Sequence, residues 1–329
     1  MIKTGCLTLN LEKTKDLSSI ISLKKILQIQ ILALLTQIPD GLTDSWVYSD
    51  IPLVPMVTER DLTYRSAIAF KVRKKTNWEP EILAEQLFNA LINQPITENI
   101  NDLKLEVQLI DRVWLTFILD CSSLQVWLLA LSRQLNSEDS LKKRSPTKSI
   151  TENAIAGYCQ YAHARASALL RLAEQEKILP LLPSTESVSI VELSPPMQSL
   201  LEQFLRIIDQ QSGKAALLNQ GMNYYHNNFY RPLNPTILGD FHPLVPPKLG
   251  ELGGQNIPKI SNAEKTSENW LKVSKNLSQA LLFFERHHRL FNPKNQSQNP
   301  LAWLLLINTR AILEILLLAK LQIPAPDEL

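Results

Sequence analysis

The side chains in this chain best able to do chemistry together are gathered in one short run, Tyr158-Cys159-Gln160-Tyr161-Ala162-His163-Ala164-Arg165-Ala166-Ser167-Ala168-Leu169-Leu170-Arg171-Leu172-Ala173. Its alanines and leucines favour a helix. Helical spacing sets Tyr161, Arg165 and Ala168 on one face, close to Arg171 and Leu172. An aromatic ring one turn from a guanidinium is a platform for an unpaired base, since the ring stacks and the guanidinium adds a charged hydrogen bond. The same spacing fits a helix with a half-buried tyrosine and a solvated arginine, which is the commoner arrangement. His163 fits a structural hydrogen bond and an RNA contact equally well.

Other chemistries find little to work with. The 329 residues include only nine glycines, with no GxGxxG and no GxxxxGK[ST], so phosphate-cradling nucleotide sites are not expected. Cys6, Cys121 and Cys159 are far apart and without CxxC spacing, which reads as reduced thiols rather than a zinc site. His287 and His288 are adjacent and so point to different faces of a helix, a poor start for a metal site. No carboxylate pair or nucleophile–base arrangement stands out. The expectation is a non-enzyme with no cofactor and no metal. The formal net charge is +2, without the basic excess of a protein that grips RNA mainly through phosphates. No signal-peptide pattern opens the chain, because Lys13, Lys15, Asp16, Lys24 and Lys25 interrupt any apolar core, and a cytoplasmic location is expected. Leu301 to Leu321 is the most apolar stretch. It carries Arg310, Glu314 and Lys320 and reads as a buried helix rather than a membrane span.

The elements that must hold these residues fall into two parts. In residues 1–135, helices are expected over Leu17–Ile38, Thr63–Lys75, Glu79–Asn93 and Ser122–Leu135. The third is opened by Glu79-Pro80-Glu81, since proline and acids suit a first turn. A short extended piece is expected around Trp46–Val54, and strands over Leu103–Ile110 and Val113–Leu119, the first alternating Leu103, Leu105, Val107 and Leu109. Residues 136–151 have linker composition. Residues 152–329 are helical in pattern, broken at Leu179–Pro196 and Pro232–Asn269, which are rich in residues that interrupt helices. A small α+β domain followed by an all-α bundle is the expected fold, helix-dominated overall.

The motif resembles the Q-Y-A-H-A-R-x-x-S-x-x-R-x-A signature that opens the anticodon-binding domain of arginyl-tRNA synthetases, the DALR domain. Gln160, Tyr161, Ala162, His163, Ala164, Arg165, Ser167, Arg171 and Ala173 match it. Ile323-Pro324-Ala325-Pro326-Asp327-Glu328-Leu329 is similar to the A-P-E-x-M ending of that family. Thr63–Ala69, Trp78–Glu85 and Trp114–Leu119 resemble, in order, the D-Y-x-[ST]-N-x-A, N-P-x-x-I-A-E and F-I-N-F-x-L segments of the synthetase N-terminal domain. The resemblance therefore spans almost the whole chain. It implies a DALR-type bundle, an anticodon-loop contact at Tyr161 and Arg165, an end of the chain near the anticodon at Leu329, and an N-terminal domain toward the tRNA corner.

The departures are as informative. The class I catalytic domain of a synthetase and its H-I-G-H segment are missing between the two parts. Lys272-Val273-Ser274-Lys275-Asn276 is similar to the K-M-S-K-S loop only by coincidence, since it falls within an expected helix. Where the family has F-N-x-F-Y, this chain has Leu281-Leu282-Phe283-Phe284-Glu285, so one aromatic is leucine and another glutamate, which cannot stack and repels phosphate. Arg286, His287, His288 and Arg289 form a basic cluster able to compensate. A G-P-G turn is replaced by Asp111-Arg112-Val113, and a family asparagine by Thr116. Asn223–Tyr230 could stack on RNA or close a helix end, and Lys142-Lys143-Arg144 could touch phosphates or be solvated. The leading expectation is a non-catalytic tRNA-binding protein, contacting RNA through Gln160, Tyr161, His163, Arg165, Arg171, Arg286, Arg289 and Leu329 and presenting the tRNA to a partner such as a modifying enzyme or a synthetase. The alternative is a protein-interaction scaffold that kept the fold and lost RNA binding.

Overall fold

A computed structural model describes residues 2–10, 22–37, 46–74, 76–93, 102–137, 154–177, 192–212, 262–288, 290–291 and 299–328. Most of the 136–151 linker, the aromatic run at 223–230, Lys142 to Arg144, Arg289 and Leu329 lie outside these residues, as do most of the two helix-breaking stretches. The protein is helix-dominated, with one small antiparallel sheet in its N-terminal part.

The sheet holds five strands, β1 (Ile2–Asn10), β2 (Val54–Val57), β3 (Asp61–Ser66), β4 (Asp102–Ile110) and β5 (Trp114–Asp120), in the order β1-β4-β5-β3-β2. All neighbours are antiparallel, with Leu7 opposite Leu105, Val107 opposite Phe117, and Phe117 opposite Tyr64. Period-two alternation buries Leu105, Val107, Phe117, Leu119, Leu62 and Tyr64 on one face and leaves Lys104, Glu106 and Arg65 exposed on the other. Helices α1 (Leu23–Leu35), α2 (Ile68–Arg73), α3 (Pro80–Ile92) and α4 (Cys121–Ser137) accompany the sheet, with α3 and α4 packed directly on it. Gly5 of β1 is required by that packing, because a Cβ there would sit 2.2 Å from Cγ2 of Ile92 on α3.

Local signals set several boundaries where expected. Glu79 stands at the start of α3 with Pro80 in its first turn, and Asn93 ends it. The paired strands β4 and β5 fall within a residue of their expected limits. Residues 63–66, expected to be helical, belong instead to β3. Leu62, Tyr64 and Ser66 all point into the core from a strand flanked on both sides, and the helix begins only at Ile68, where Ile68, Ala69 and Val72 take up a helical stripe. The region around Trp46–Val54 is a single 3₁₀ turn at Tyr48–Asp50 followed by strand β2, and β1 had no expected element.

The second part contains α5 (Ala154–Gln175), α6 (Pro195–Ser212), α7 (Asn262–His287) and α8 (Pro300–Ile315), the last continued by a wider helical turn, Leu316–Leu321. Helix α7 starts inside the stretch expected to be loop, since the proline and glycine run ends at Pro258 and Ala263-Glu264-Lys265 are good helix formers. Helix α8 is central and touches α4, α5, α6 and α7. By length and composition the helical run Pro300–Leu321 could cross a membrane, but 78% of its most apolar window is buried within the protein. Asn299 caps α8, its side-chain oxygen accepting from the backbone N–H groups of Leu301 (3.1 Å) and Ala302 (3.3 Å).

The two parts share one hydrophobic core. Buried Asn308 of α8 donates to the carbonyl of Leu128 on α4 at 2.9 Å and to its own Leu304 carbonyl at 2.8 Å. Trp127 of α4 meets Phe204 of α6 edge to face, with ring centroids 6.2 Å apart. Ser22, the N-cap of α1, receives an N–H bond from Lys25 and donates its hydroxyl proton to Asp209 of α6 at 2.9 Å. Burial pushes the Asp209 carboxyl up to about 6, despite that hydrogen bond.

The turn joining β4 to β5 places Asp111 (φ 50°) and Arg112 (φ 62°) in the left-handed region, and the Val113 N–H bonds back to the Ile110 carbonyl at 3.1 Å. Aspartate tolerates that conformation, whereas arginine gains nothing from it. Arg112→Gly is expected to stabilise the protein by roughly 0.5–1 kcal/mol, read as a higher urea midpoint at unchanged slope. A lower midpoint would show that the arginine side chain contributes more than its backbone costs.

Candidate nucleic-acid interface

The motif run lies on α5, and its two faces have separate partners. One face binds the end of the chain. Gln160 donates to the Pro324 carbonyl at 2.9 Å, and His163 Nδ1 meets the Pro326 carbonyl at 2.9 Å. Ser167 donates to the Asp327 carboxylate at 3.2 Å and receives a bond from Arg310 Nε at 3.2 Å. Arg171 donates to the Asp327 carbonyl at 2.9 Å and lies 3.8 Å from the Glu328 carboxylate. Arg310 of α8 completes the clamp, 3.3 Å from Asp327 and 3.5 Å from Glu314. The polar residues of one helix face thus read the backbone and carboxylates of an extended tail, residue by residue.

The tail reaches this position because α8 ends in the wide turn and then reverses at Gln322, which takes the left-handed conformation at φ 56°. Ile323 follows directly and is buried in a small satellite core with Ala156, Cys159 and Leu317. From there Pro324 and Pro326 keep the chain extended alongside α5, with few backbone N–H groups to satisfy.

His163 is fully buried, and its environment determines its protonation. A carbonyl can only accept, so the proton sits on Nδ1 and Nε2 carries the lone pair, with no hydrogen-bond partner among the described residues. A second proton would place a charge in the core beside the Arg310 guanidinium. Burial, followed by that guanidinium, depresses the His163 pKa from 6.5 to about 4.

The other face of α5 points outward, toward α7. Tyr161 is 43% exposed. Arg165 is about half exposed and forms an ion pair with Glu285 of α7. A single carboxylate oxygen, Oε1, lies 2.6 Å from Nε and 2.5 Å from a terminal guanidinium nitrogen. Arg286, exposed on α7, is close enough to the half-buried Tyr158 hydroxyl to act on its ionisation. Phe283 is 46% exposed and packs against His287 with ring centroids 4.3 Å apart. The residues brought together here are Tyr158, Tyr161, Arg165, Glu285 and Arg286, with Phe283 and His287 further round α7.

Of the residues expected to touch RNA, Tyr161, Arg165 and Arg286 are therefore outward-facing. Gln160 and His163 are buried against the tail, and Arg171 is tied to it. Arg289 and Leu329 lie outside the described residues. Position 281, read as a lost surface aromatic, is a core position. Leu281 is buried beside Leu277 and Phe284, so no surface aromatic is missing there. His288 also turns inward, stacking on Phe284 and meeting the Ser194 hydroxyl at 3.2 Å, which takes it out of the basic cluster. Lys272–Asn276 is an internal segment of α7, and Ser274 is fully buried. Among the described residues no group of His, Cys, Asp and Glu could hold a metal ion.

Two contributors were not singled out from the sequence. In the sequence Arg310 stands as a charge in an apolar helix, and such a charge needs a partner, which the acidic tail supplies. Phe283 was hidden by its neighbours, since the helix face presented at 281–285 depends on the tertiary packing of α7. Comparison with family models, with curated proteins and with solved structures found no match to this chain.

The buried His163 and Asp209 make opposing contributions to acid stability. Unfolded His163 takes up a proton near pH 6.5 that the folded protein refuses until about pH 4, so its stabilising contribution is complete above 6.5 and declines on acidification. Asp209 holds a proton in the folded state up to about pH 6, so its contribution grows as pH falls from there toward 3.8. Each is worth on the order of 1.4 kcal/mol per pH unit within its window. His163→Asn, which can keep the donor to Pro326, is expected to lose less stability than the parent between pH 7 and 4.5, while Asp209→Asn should lose more. Urea midpoints across that range check both. Parallel pH profiles for parent and variants would rule out these two groups as the source.

Proposed function

We propose that this protein binds tRNA without catalysing a reaction on it, holding the anticodon loop against the outward face of α5 and α7 in a bundle of the DALR type. An arginine-type tRNA is the first candidate ligand, and a modifying enzyme or a synthetase the kind of partner to which it would be presented. The observation that carries this reading is the division of labour on α5. Gln160, His163, Ser167 and Arg171 fix the helix against the tail, while Tyr161 and Arg165, one turn apart, remain on the surface. Tyr161 offers a stacking face, Arg165 a charged fork, and α7 adds Arg286, Phe283 and His287 alongside. Mixed aromatic and cationic side chains at that spacing suit unpaired bases and their phosphates.

A second reading has its own support. Glu285 matches the charge of Arg165, while Leu172 (42%) and Phe283 (46%) expose apolar surface nearby. A protein-interaction scaffold built on the same fold would use these features to receive a protein partner rather than RNA.

Mobility shift of the purified protein with each tRNA family at two salt concentrations separates the readings. Selective binding that weakens with salt is expected. The Tyr161→Ala/Arg165→Ala double variant should lose about 2–4 kcal/mol of it, roughly 30- to 1,000-fold in Kd, with an unchanged circular dichroism spectrum. Absence of binding to any tRNA at low salt would overturn the tRNA reading in favour of the scaffold.

A further inference from the structure

We propose that Glu285 is a built-in competitor for the anionic ligand of Arg165, so that RNA engages this face only by displacing a carboxylate already seated there. The inference rests on the tRNA reading and deepens it by assigning a role to a residue that would otherwise count against binding.

The geometry carries it. Arg165 donates its Nε–H to Oε1 of Glu285, and one terminal guanidinium nitrogen lies 2.5 Å from the same oxygen. That side-on edge of the guanidinium is one of those a phosphate would use for a paired, fork-like contact. A carboxylate and a phosphate oxygen are alternative acceptors for one set of donors, so both cannot be fully accommodated. Glu285 is held in place by its helix, since Leu281 and Phe284 lock the turn that leads into it against the core. Arg165 is the more exposed partner, a long side chain 47% exposed against 19% for Glu285. A part-exposed pair of this kind is weak enough to open for a better acceptor. Opening frees Arg165 to swing toward solvent, where Tyr161 lies on the same helix face.

The arrangement favours selectivity over affinity. A single phosphate drifting past gains little by exchanging places with a carboxylate. A loop that also stacks a base on Tyr161 and reaches Arg286 gains enough to open the pair. An internal carboxylate thus sets one threshold for every anion at Arg165, and a ligand with further contacts is the one that clears it. The near-neutral net charge of +2 fits a protein that does not rely on bulk attraction to RNA.

The test uses the full chain and a fluorophore-labelled anticodon stem-loop RNA, with anisotropy measured over a range of KCl concentrations for the parent, Glu285→Gln, Glu285→Ala, Arg165→Ala and the Glu285→Gln/Arg165→Ala pair. Thermal melts confirm folding, and the alanine variant serves if the glutamine variant keeps a neutral hydrogen bond to Arg165. Glu285→Gln or Glu285→Ala is expected to tighten binding about 5- to 30-fold and to steepen the salt slope by about one, as one more phosphate is engaged. The gain should vanish when Arg165 is also removed. If the parent binds and both Glu285 variants bind no better, the carboxylate only positions Arg165 and the competitor role is overturned, while the tRNA reading survives. If neither the parent nor any Glu285 variant binds at low salt, the tRNA reading fails and the competitor role fails with it.

Discussion

A helix that is apolar on nearly every side has to be wrapped, and the architecture follows from meeting that requirement for α8. Leu301, Ala302, Trp303, Leu304, Leu305, Leu306, Ile312 and Leu313 leave it no natural solvent face, so partners must come from all directions. Helices α5, α6 and α7 supply three of them, and α4 supplies the fourth from the N-terminal part. The two parts are joined by this burial. At about 25 cal/mol per Å² of apolar surface removed from water, a fully enclosed Leu or Trp contributes roughly 1.5–3 kcal/mol or more, and the α4–α8 contact gathers several. Asn308 then adds specificity. A buried amide donating to the Leu128 carbonyl tolerates little sliding between the two helices, because a shift would strand a polar group in the core.

The same helix explains the charged clamp at the end of the chain. Arg310 and Glu314 are the charged pair in α8, one turn apart, and Arg310 reaches Ser167 of α5. A guanidinium in such a position must be satisfied on the spot, and the tail brings Asp327 back to it while Ser167 bridges the two. The tail is consequently part of the bundle. It fixes α5 lengthwise through contacts that begin at Gln160 and finish at Arg171, and this determines which side of α5 is left to face solvent.

The sequence disclosed the regular parts and the motif, and it was silent on what depends on tertiary packing. Strands β4 and β5 and helix α3 were legible because local pattern and fold agree there, from the alternation of Leu103 to Leu109 to the Pro80 start. Residues 63–66 were misread because Tyr64, Ala67, Ile68 and Val72 fit a helical stripe as well as a strand followed by a helix, and only the neighbouring strands decide between them. The motif run was visible as a unit, but not how its face divides. His163 has the chemistry for RNA or for a core hydrogen bond, and its role depends on a carbonyl 163 residues away in the chain. Leu281 looked like a missing surface aromatic because its orientation is set by how α7 rolls against α5.

What remains on the surface is a helix pair of nearly balanced charge, and that balance has a physical consequence. A strongly positive face would attract any polyanion at long range, with affinity falling steeply as salt rises. With Arg165 matched by Glu285, the long-range pull is small, and any ligand of this face would be chosen by short-range terms such as contact with the exposed Tyr161 ring and the exchange of one acceptor for another. Those terms require a ligand to fit before it gains. The demand on positional accuracy is correspondingly high. A fold that clamps α5 from behind by five polar side chains and an extended tail is well suited to meet it, because it fixes the helix from which the Tyr161 ring and the Arg165 guanidinium project.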